Sequence, residues 1–169
     1  MKIQIIGFSG AGKSTLGKQL GKLYNLPILH MDSLNFLSNW VERDRLEFNQ
    51  IVDKFLVDNE SWVIDGNYFR ITPSRYEEAD LVIYLKYNRL TCLKGVIKRY
   101  KKFKHSSRPD MAEGCKERLN FSFLMWVLFT GRTKKRRRHM EEVVKNAKSS
   151  LVFKNRKELN KYLKEIGVI

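Results

Sequence analysis

Residues 7–14 (G-F-S-G-A-G-K-S) match the pattern G-x-x-x-x-G-K-[ST] at every fixed position. This pattern is typical of a phosphate-binding loop (P-loop), because its glycines allow a tight turn whose successive amides point at one anion. The Lys13 ammonium would neutralise phosphate charge, and the Ser14 hydroxyl would ligate Mg²⁺. The motif therefore predicts that the chain binds ATP and magnesium. The predicted contact residues are Gly7, Ser9, Gly10, Ala11, Gly12, Lys13, Ser14 and Thr15.

The sequence around the loop agrees with this interpretation. Residues 2–6 read as a short buried strand, and Leu16, Leu20 and Leu23 recur at helical spacing from Ser14 onward. The phosphates would then lie at the N-terminus of a helix, where unpaired amides and the helix dipole favour negative charge.

Polar residues also follow the next two predicted strands, at 26–30 and 61–64. In open parallel sheets, ligands bind beyond the carboxyl ends of the strands, so these residues are candidates for the same site. They are Asp32 after the second strand, and Asp65, Asn67, Tyr68 and Arg70 after the third.

The two carboxylates suit different tasks next to a phosphate. Asp65 is predicted to hold the metal together with Ser14, and Asp32 to orient or deprotonate an acceptor hydroxyl as a catalytic residue beside Lys13. The alternative, that each aspartate only caps the turn that follows it, stays open at this point.

Strand and helix signals alternate along the chain, which predicts an α/β fold in a single domain, residues 1–169. A helix is expected over 42–57, a short helix after an N-cap at Thr72, and a helix after a fourth strand at 81–85. Helical spacing returns at 119–129 and around 140–147. A fifth strand at 150–153 and a last helix with the capping box Asn155/Glu158 complete the predicted elements.

Residues 103–120 interrupt this alternation and are predicted to form a lid. Arginines on such a segment would stabilise the charge of a transferring phosphoryl group, although any one of them could be a surface charge. The arginines in and around it are Arg99, Arg108, Arg118 and Arg132; Arg70 is placed instead on the acceptor side.

The net charge of +15 is concentrated, since residues 86–139 contain 17 Lys/Arg against 3 Asp/Glu. This segment predicts an anionic partner, either nucleotide phosphates, nucleic acid or a membrane surface. Its densest run, residues 134–138, is either such a contact or the exposed first turns of the helix that follows. His30 and His105 are isolated from any ligand spacing and are interpreted as structural or surface residues.

The composition favours a cytoplasmic protein. Cys92 and Cys115 have no disulfide or zinc spacing and read as free thiols in a reducing compartment, and the chain starts directly in a strand without a signal peptide. The most apolar stretch, 121–129, is too short to span a membrane, but could mark a dimer or membrane-surface contact.

The chain resembles the small P-loop kinases of the adenylate-kinase-like group, and more closely the bacterial proteins labelled "DNA topology modulation protein" (FlaR type). The blocks that carry the resemblance are residues 7–15, 30–32, 40–44, 62–68 and 108–115. It implies a three-layer fold with a five-stranded parallel sheet in the order 2-3-1-4-5, and a lid between strands 4 and 5. Asp65-Gly66 is similar to the Asp-Gly-Phe-Pro-Arg block of adenylate kinases, but Arg70 follows the aspartate by five residues rather than four and the proline is absent.

Three functions follow from these patterns. The first is an ATP-dependent kinase acting on a small nucleoside- or nucleotide-like acceptor, and the absence of Asp-Glu after the fourth strand argues against a motor ATPase. The second is a nucleic-acid-binding regulator that uses ATP as a ligand. The third is an assembly protein that associates through residues 121–129.

Overall fold

A computed structural model describes residues 1–104, 106, 110–117 and 119–169. Its strands form one five-stranded parallel sheet in the order β2-β3-β1-β4-β5, which confirms the predicted fold class and strand order. The strands are β1 (Lys2–Gly7), β2 (Ile28–His30), β3 (Trp62–Asp65), β4 (Leu81–Leu85) and β5 (Ser150–Phe153).

Helices connect successive strands, as parallel strands require. Those before β4 are α1 (Lys13–Tyr24), α2 (Met31–Asn35), α3 (Arg45–Asp58) and α4 (Ser74–Glu78). Those after β4 are α5 (Arg89–Phe103), α6 (Phe121–Leu128), α7 (Lys134–Asn146) and α8 (Arg156–Glu165). The predicted lid segment lies between α5 and α6, and therefore between β4 and β5.

The sheet is covered on both sides, which β1 shows directly. Its residues from Ile3 to Gly7 are all buried, as expected for a central strand of a parallel sheet. The Ile5 side chain lies beside α1 at Gly17, whereas the Gln4 side chain meets Arg75 of α4. Because consecutive side chains of a strand point to opposite faces, α1 and α4 lie on opposite sides of the sheet.

Two details of the expected elements are corrected. Thr72 was expected to cap α4, but the helix begins at Ser74 with Pro73 in the N-cap position and no side-chain cap. Thr72 instead has a left-handed φ of 41°, and its backbone amide donates to Oδ1 of Asn49 at 2.8 Å. The short α2, which carries Asp32, was not predicted.

Other local predictions are confirmed. The side chains of Asn155 and Glu158 make the expected reciprocal cap, with the Glu158 amide donating to Asn155 Oδ1 at 3.0 Å and the Lys154 amide to Glu158 Oε2 at 2.7 Å. The basic run 134–138 lies in the exposed first turns of α7, and its contact with an anionic partner stays a prediction. Cys92 and Cys115 are buried free thiols.

The predicted contact stretch 121–129 leaves Phe121, Trp126 and Phe129 exposed on and just after α6. Association through this surface remains a prediction. Across the described ranges, we find no helix with the length and apolar character needed to cross a membrane.

Helix α5 supports the P-loop through an unusually close backbone contact between two glycines. A methyl group on Gly95 would lie 2.1 Å from the Gly10 carbonyl oxygen, and one on Gly10 would lie 2.3 Å from the Cys92 carbonyl oxygen. Both neighbours are backbone atoms, so a larger side chain at either position would push the loop and the helix apart.

We expect Gly95→Ala to lower the free energy of unfolding by about 1–3 kcal/mol, the usual cost of overpacking a tight contact. Denaturant unfolding measures the change, with Lys94→Ala as the control because Lys94 is exposed on the same helix. Equal stability of the two variants would contradict the close packing described here.

Candidate active site

The P-loop connects β1 to α1 and is folded for an anion. Gly10 and Gly12 have φ angles of 81° and 99°, in the left-handed region that favours glycine. The Ala11 amide donates to the Phe8 carbonyl at 3.1 Å and closes the turn. Gly12 occupies the N-cap of α1 without a side-chain cap, so the first amides of the helix remain available for phosphate oxygens.

Asn67, the second residue after β3, fixes the start of the loop. Asn67 accepts a hydrogen bond from the Gly7 amide through Oδ1 and donates one to the Gly7 carbonyl through Nδ2, each at 3.0 Å. The Lys13 ammonium donates to the same carbonyl at 3.0 Å. Asn67, predicted to bind substrate, thus contacts the P-loop in this structure.

Asp65 lies at the bottom of the site and is 1% exposed. Its Oδ1 accepts a hydrogen bond from the Ser14 hydroxyl at 3.2 Å, and its Oδ2 contacts Nδ1 of His30. The structure therefore brings the two predicted metal ligands together. His30, interpreted from sequence as structural or surface, is the last residue of β2 and holds this carboxylate.

The oxygen pair at Ser14 and Asp65 fits magnesium, which prefers hard oxygen ligands and keeps several waters when it binds nucleotides. Among the described residues there is no cluster of three or more His, Cys, Asp or Glu side chains that could form an all-protein metal cage. The remaining ligands of a magnesium ion here would be water and phosphate oxygens.

Asp32 and Tyr68, both predicted to bind the acceptor, form a second polar pair after β2 and β3. The Tyr68 hydroxyl donates to Oδ1 of Asp32 at 2.8 Å. Burial, with Asp32 adding to it, raises the pKa of Tyr68 well above its ordinary value. The phenol therefore stays a hydrogen-bond donor, and it fixes the orientation of the Asp32 carboxylate.

Within the predicted lid, residues 110–117 pack against the segment that follows α2 and also contact α1. Nε1 of Trp40 donates to the Lys116 carbonyl at 3.0 Å, and the Cys115 thiol lies 3.2 Å from the Leu37 carbonyl. Asp110 lies 3.5 Å from the Lys18 ammonium of α1. The predicted lid segment thus contacts both the residues after α2 and the P-loop helix α1.

The predicted arginines have different environments. Arg99 pairs with the buried Glu117, with Nη2 2.7 Å from Oε1. Arg132 is buried, donates to the Tyr87 carbonyl at 3.0 Å, and lies 3.9 Å over the Phe8 ring, so it supports the P-loop from behind. Arg70 is exposed. Arg108 and Arg118, like His105, lie outside the described residues.

Arg156, the first residue of α8, was missed by the sequence analysis. Its Nη1 lies 3.9 Å from where a methyl group on Gly12 would be, and Nη2 lies 3.1 Å from the equivalent position on Gly95. Its side chain is exposed, so this cation lies at the open side of the P-loop. The signal was present, because Arg156 follows the carboxyl end of β5 just as the other candidates follow β1, β2 and β3.

No family model matches the sequence, and no curated protein matches it. Solved structures do. A deoxyadenosine kinase from M. mycoides with the products dCMP and dCDP bound aligns over 98% of this chain and all of its own, at a TM-score of 0.54 and 18% identity. A shikimate kinase from Acinetobacter baumannii in complex with shikimate aligns over 98% of this chain and 92% of its own, at a TM-score of 0.57 and 17% identity.

A gluconokinase from Sinorhizobium meliloti 1021 aligns over 98% of this chain and 88% of its own, at a TM-score of 0.52 and 15% identity. The chain therefore has the fold of small P-loop kinases across nearly its whole length. At these identities the likeness concerns the fold, and the chemistry has to be argued from the site.

The Tyr68 environment gives a direct spectroscopic expectation. Subtracting the ultraviolet pH titration of Tyr68→Phe from that of the wild type should show no phenolate at pH 10, the ordinary pKa of tyrosine, because burial favours the neutral phenol. The same pair of proteins in denaturant is the control, since the exposed phenol then ionises at about pH 10. A phenolate difference signal at pH 10 in the folded protein would contradict the partly buried Tyr68–Asp32 hydrogen bond.

Proposed function

We propose that the protein is an ATP- and magnesium-dependent phosphotransferase that acts on a small polar acceptor bearing a hydroxyl group. The observation that carries this proposal is the Ser14–Asp65 oxygen pair, at 3.2 Å, directly beside Lys13 in the P-loop. A phosphate-binding loop alone is compatible with many chemistries. A buried carboxylate against its serine adds the ligand pair that a kinase needs for magnesium.

The side of the site that would bind ATP is formed by the P-loop, the N-terminus of α1, Lys13 and Arg156. The amides at the start of α1 and the Lys13 ammonium would hold the outer phosphates of ATP, and Arg156 offers a further charge at the open side. Bound magnesium would neutralise charge on the transferring phosphoryl group. We assign Ser14 and Asp65 to hold it, with His30 orienting the Asp65 carboxylate.

The acceptor side is assigned to the residues after β2 and β3. Asp32 would accept a hydrogen bond from the acceptor hydroxyl and withdraw its proton as the phosphoryl group moves, with Tyr68 holding the carboxylate in place. Arg70 is exposed at the same end of the sheet and is assigned to the acceptor. Arg99, Arg108 and Arg118 are proposed to serve the transferring phosphoryl group when the lid closes.

Solved structures with the same fold support a class of acceptor. Structural neighbours are kinases named for a nucleoside, shikimate and gluconate. Together with the resemblance to the FlaR-type group, this supports a nucleoside-like or other small polar acceptor. We further propose that the chain acts as a single domain in the cytoplasm, consistent with its two buried free thiols.

Lys13→Ala should lower the rate of ATP consumption by about 100-fold or more, because it removes the cation that would face the transferring phosphate. Stability should change little, since the only hydrogen bond of the Lys13 side chain to the described residues is the one to Gly7. A coupled assay of ADP release, screened across nucleosides, nucleotides, sugars and small acids, measures the effect and identifies the acceptor.

The matched control is Lys22→Ala, which removes an exposed lysine from the same helix. It should retain wild-type turnover. Undiminished acceptor-dependent turnover in Lys13→Ala would overturn the proposed function.

A second candidate function is binding of nucleic acid through the basic segment 86–139. The observation that favours it is the start of α7, where Lys134, Lys135, Arg137 and Arg138 are exposed and form no ion pair with any described residue. Arg136 lies 4.3 Å over the ring of Trp126, which adds an aromatic surface beside the charges.

If this surface binds nucleic acid, replacing residues 134–138 with glutamine should remove DNA affinity and flatten its salt dependence, because each phosphate contact adds to the slope. Fluorescence anisotropy with labelled single- and double-stranded DNA, at low and at moderate salt, measures both. Loss of wild-type affinity at moderate salt would reject this function. ATP consumption by the same variant tests whether the two functions are separable.

A further inference from the structure

Arg75 of α4 is fully buried, although nothing in its sequence context distinguishes it from a surface arginine. It forms no ion pair with a carboxylate among the described residues. Instead, every nitrogen of its guanidinium donates to a neutral oxygen. A buried cation is expensive unless its hydrogen bonds are all satisfied, so its position is strongly determined.

Four of these bonds go to the turn between β3 and α4. Nη2 donates to the carbonyls of Asn67 at 3.0 Å and Tyr68 at 3.2 Å. Nη1 donates to the carbonyls of Ile71 and of Thr72, the latter at 3.1 Å. Four carbonyls of the turn therefore accept hydrogen bonds from one guanidinium. The turn that brings them together includes Thr72 with its left-handed φ.

The two residues at the start of this turn reach opposite halves of the site. The Asn67 side chain bonds to both backbone groups of Gly7 at the start of the P-loop. The Tyr68 hydroxyl bonds to Asp32 on the acceptor side. Arg75 thus holds the backbones of the two residues that set the P-loop and the acceptor carboxylate.

Gln4 ties the same group to the sheet. Nε of Arg75 donates to Gln4 Oε1 at 3.1 Å, and Nε2 of Gln4 donates to the carbonyls of Ile64 and Gly66, each at 3.2 Å. Tyr76 adds a further link, since its hydroxyl accepts from Arg75 Nη2 at 2.7 Å and donates to the Asn67 carbonyl. The turn, β1 and the end of β3 therefore meet at one side chain.

We propose that Arg75 is a positioning residue that fixes the distance between the P-loop and the acceptor-side residues Tyr68 and Asp32. It touches neither nucleotide nor acceptor, and it acts through Asn67 and Tyr68. The catalytic consequence rests on the proposed phosphotransferase function, whereas the structural link can be measured without any nucleotide. Lysine cannot replace it, because a single nitrogen cannot reach carbonyls on both sides of the turn.

Hydrogen exchange at the Gly7 amide tests the structural link. In Arg75→Lys we expect this amide to exchange at least about fivefold faster than in the wild type, since its acceptor on Asn67 is no longer held. Val52→Ala is the control, because Val52 is fully buried in α3 outside this network and its loss destabilises the core alone. Rates are compared after correction for each variant's global stability.

Nucleotide affinity tests the functional consequence. We expect Arg75→Lys to weaken binding of a fluorescent ATP analogue about fivefold, the factor that corresponds to one lost hydrogen bond. Asn67→Ala should weaken it by a similar factor, and the double variant should be no weaker than Asn67→Ala alone, because both changes remove the same link. Val52→Ala, measured where it is folded, should bind as the wild type does.

Each result decides between the claims. Unchanged Gly7 exchange in Arg75→Lys, or effects of Arg75→Lys and Asn67→Ala that multiply, would overturn the positioning role while leaving the kinase proposal standing. A wild type that binds no ATP analogue would overturn the proposed function, and faster Gly7 exchange would then support the structural link alone. If Arg75→Lys does not fold, Tyr76→Phe removes one bond to Asn67 and should accelerate Gly7 exchange to a smaller extent.

Discussion

The candidate site depends on a pair of hydrogen bonds between the Asn67 side chain and the backbone of Gly7. Strands β1 and β3 are paired up to Ile5 and Asp65, where β3 ends, whereas β1 continues to Gly7 paired with β4 on its other side. Without Asn67, the Gly7 amide would lose its acceptor and the Gly7 carbonyl would keep the bond from Lys13, and buried backbone groups without partners are costly. The Asn67 amide supplies one acceptor and one donor, as a further peptide of β3 would. The P-loop therefore begins at a fixed place relative to the acceptor side.

Holding the P-loop and the β3–α4 turn together places polar side chains between the sheet and its helices. The donors of the buried Arg75 guanidinium are all hydrogen-bonded to neutral oxygens. Gln4 and Arg75 are both fully buried, and burial lowers the pKa of the Arg75 guanidinium. The carbonyls of the β3–α4 turn offset this cost, because an arginine with all its donors satisfied is far less unfavourable than an unpaired one. The same carbonyls are satisfied in return. The turn and the guanidinium thus stabilise each other, which explains why a short helix of five residues, α4, is ordered here.

Sequence patterns predicted the parts of the molecule that follow local rules. The five strands, the P-loop and the α8 cap each depend on neighbouring residues, and all are found. The role of His30 could not be predicted, because it depends on the register of β2 and β3, which places His30 opposite Asp65. The burial of Arg75 could not be predicted either, because it also depends on residues distant in the sequence. Its partner Gln4 is 71 residues away in the sequence. Only the folded structure shows that the Gln4 side chain, in a buried strand, accepts a hydrogen bond from the buried Arg75 guanidinium.

The described cations of residues 86–139 lie in different environments. In this structure Arg99 pairs with Glu117, and the buried Arg132 donates to the carbonyls of Val127 and Tyr87. The run 134–138 is exposed at the start of α7, and the ring of His139, which follows the run, lies 4.2 Å from the ring of Phe69. The basic run therefore lies near the residues after β3 that we assign to the acceptor. Since exposed charges act over about 10 Å at moderate salt, we infer that its field acts mainly on an anionic acceptor or partner approaching from that side.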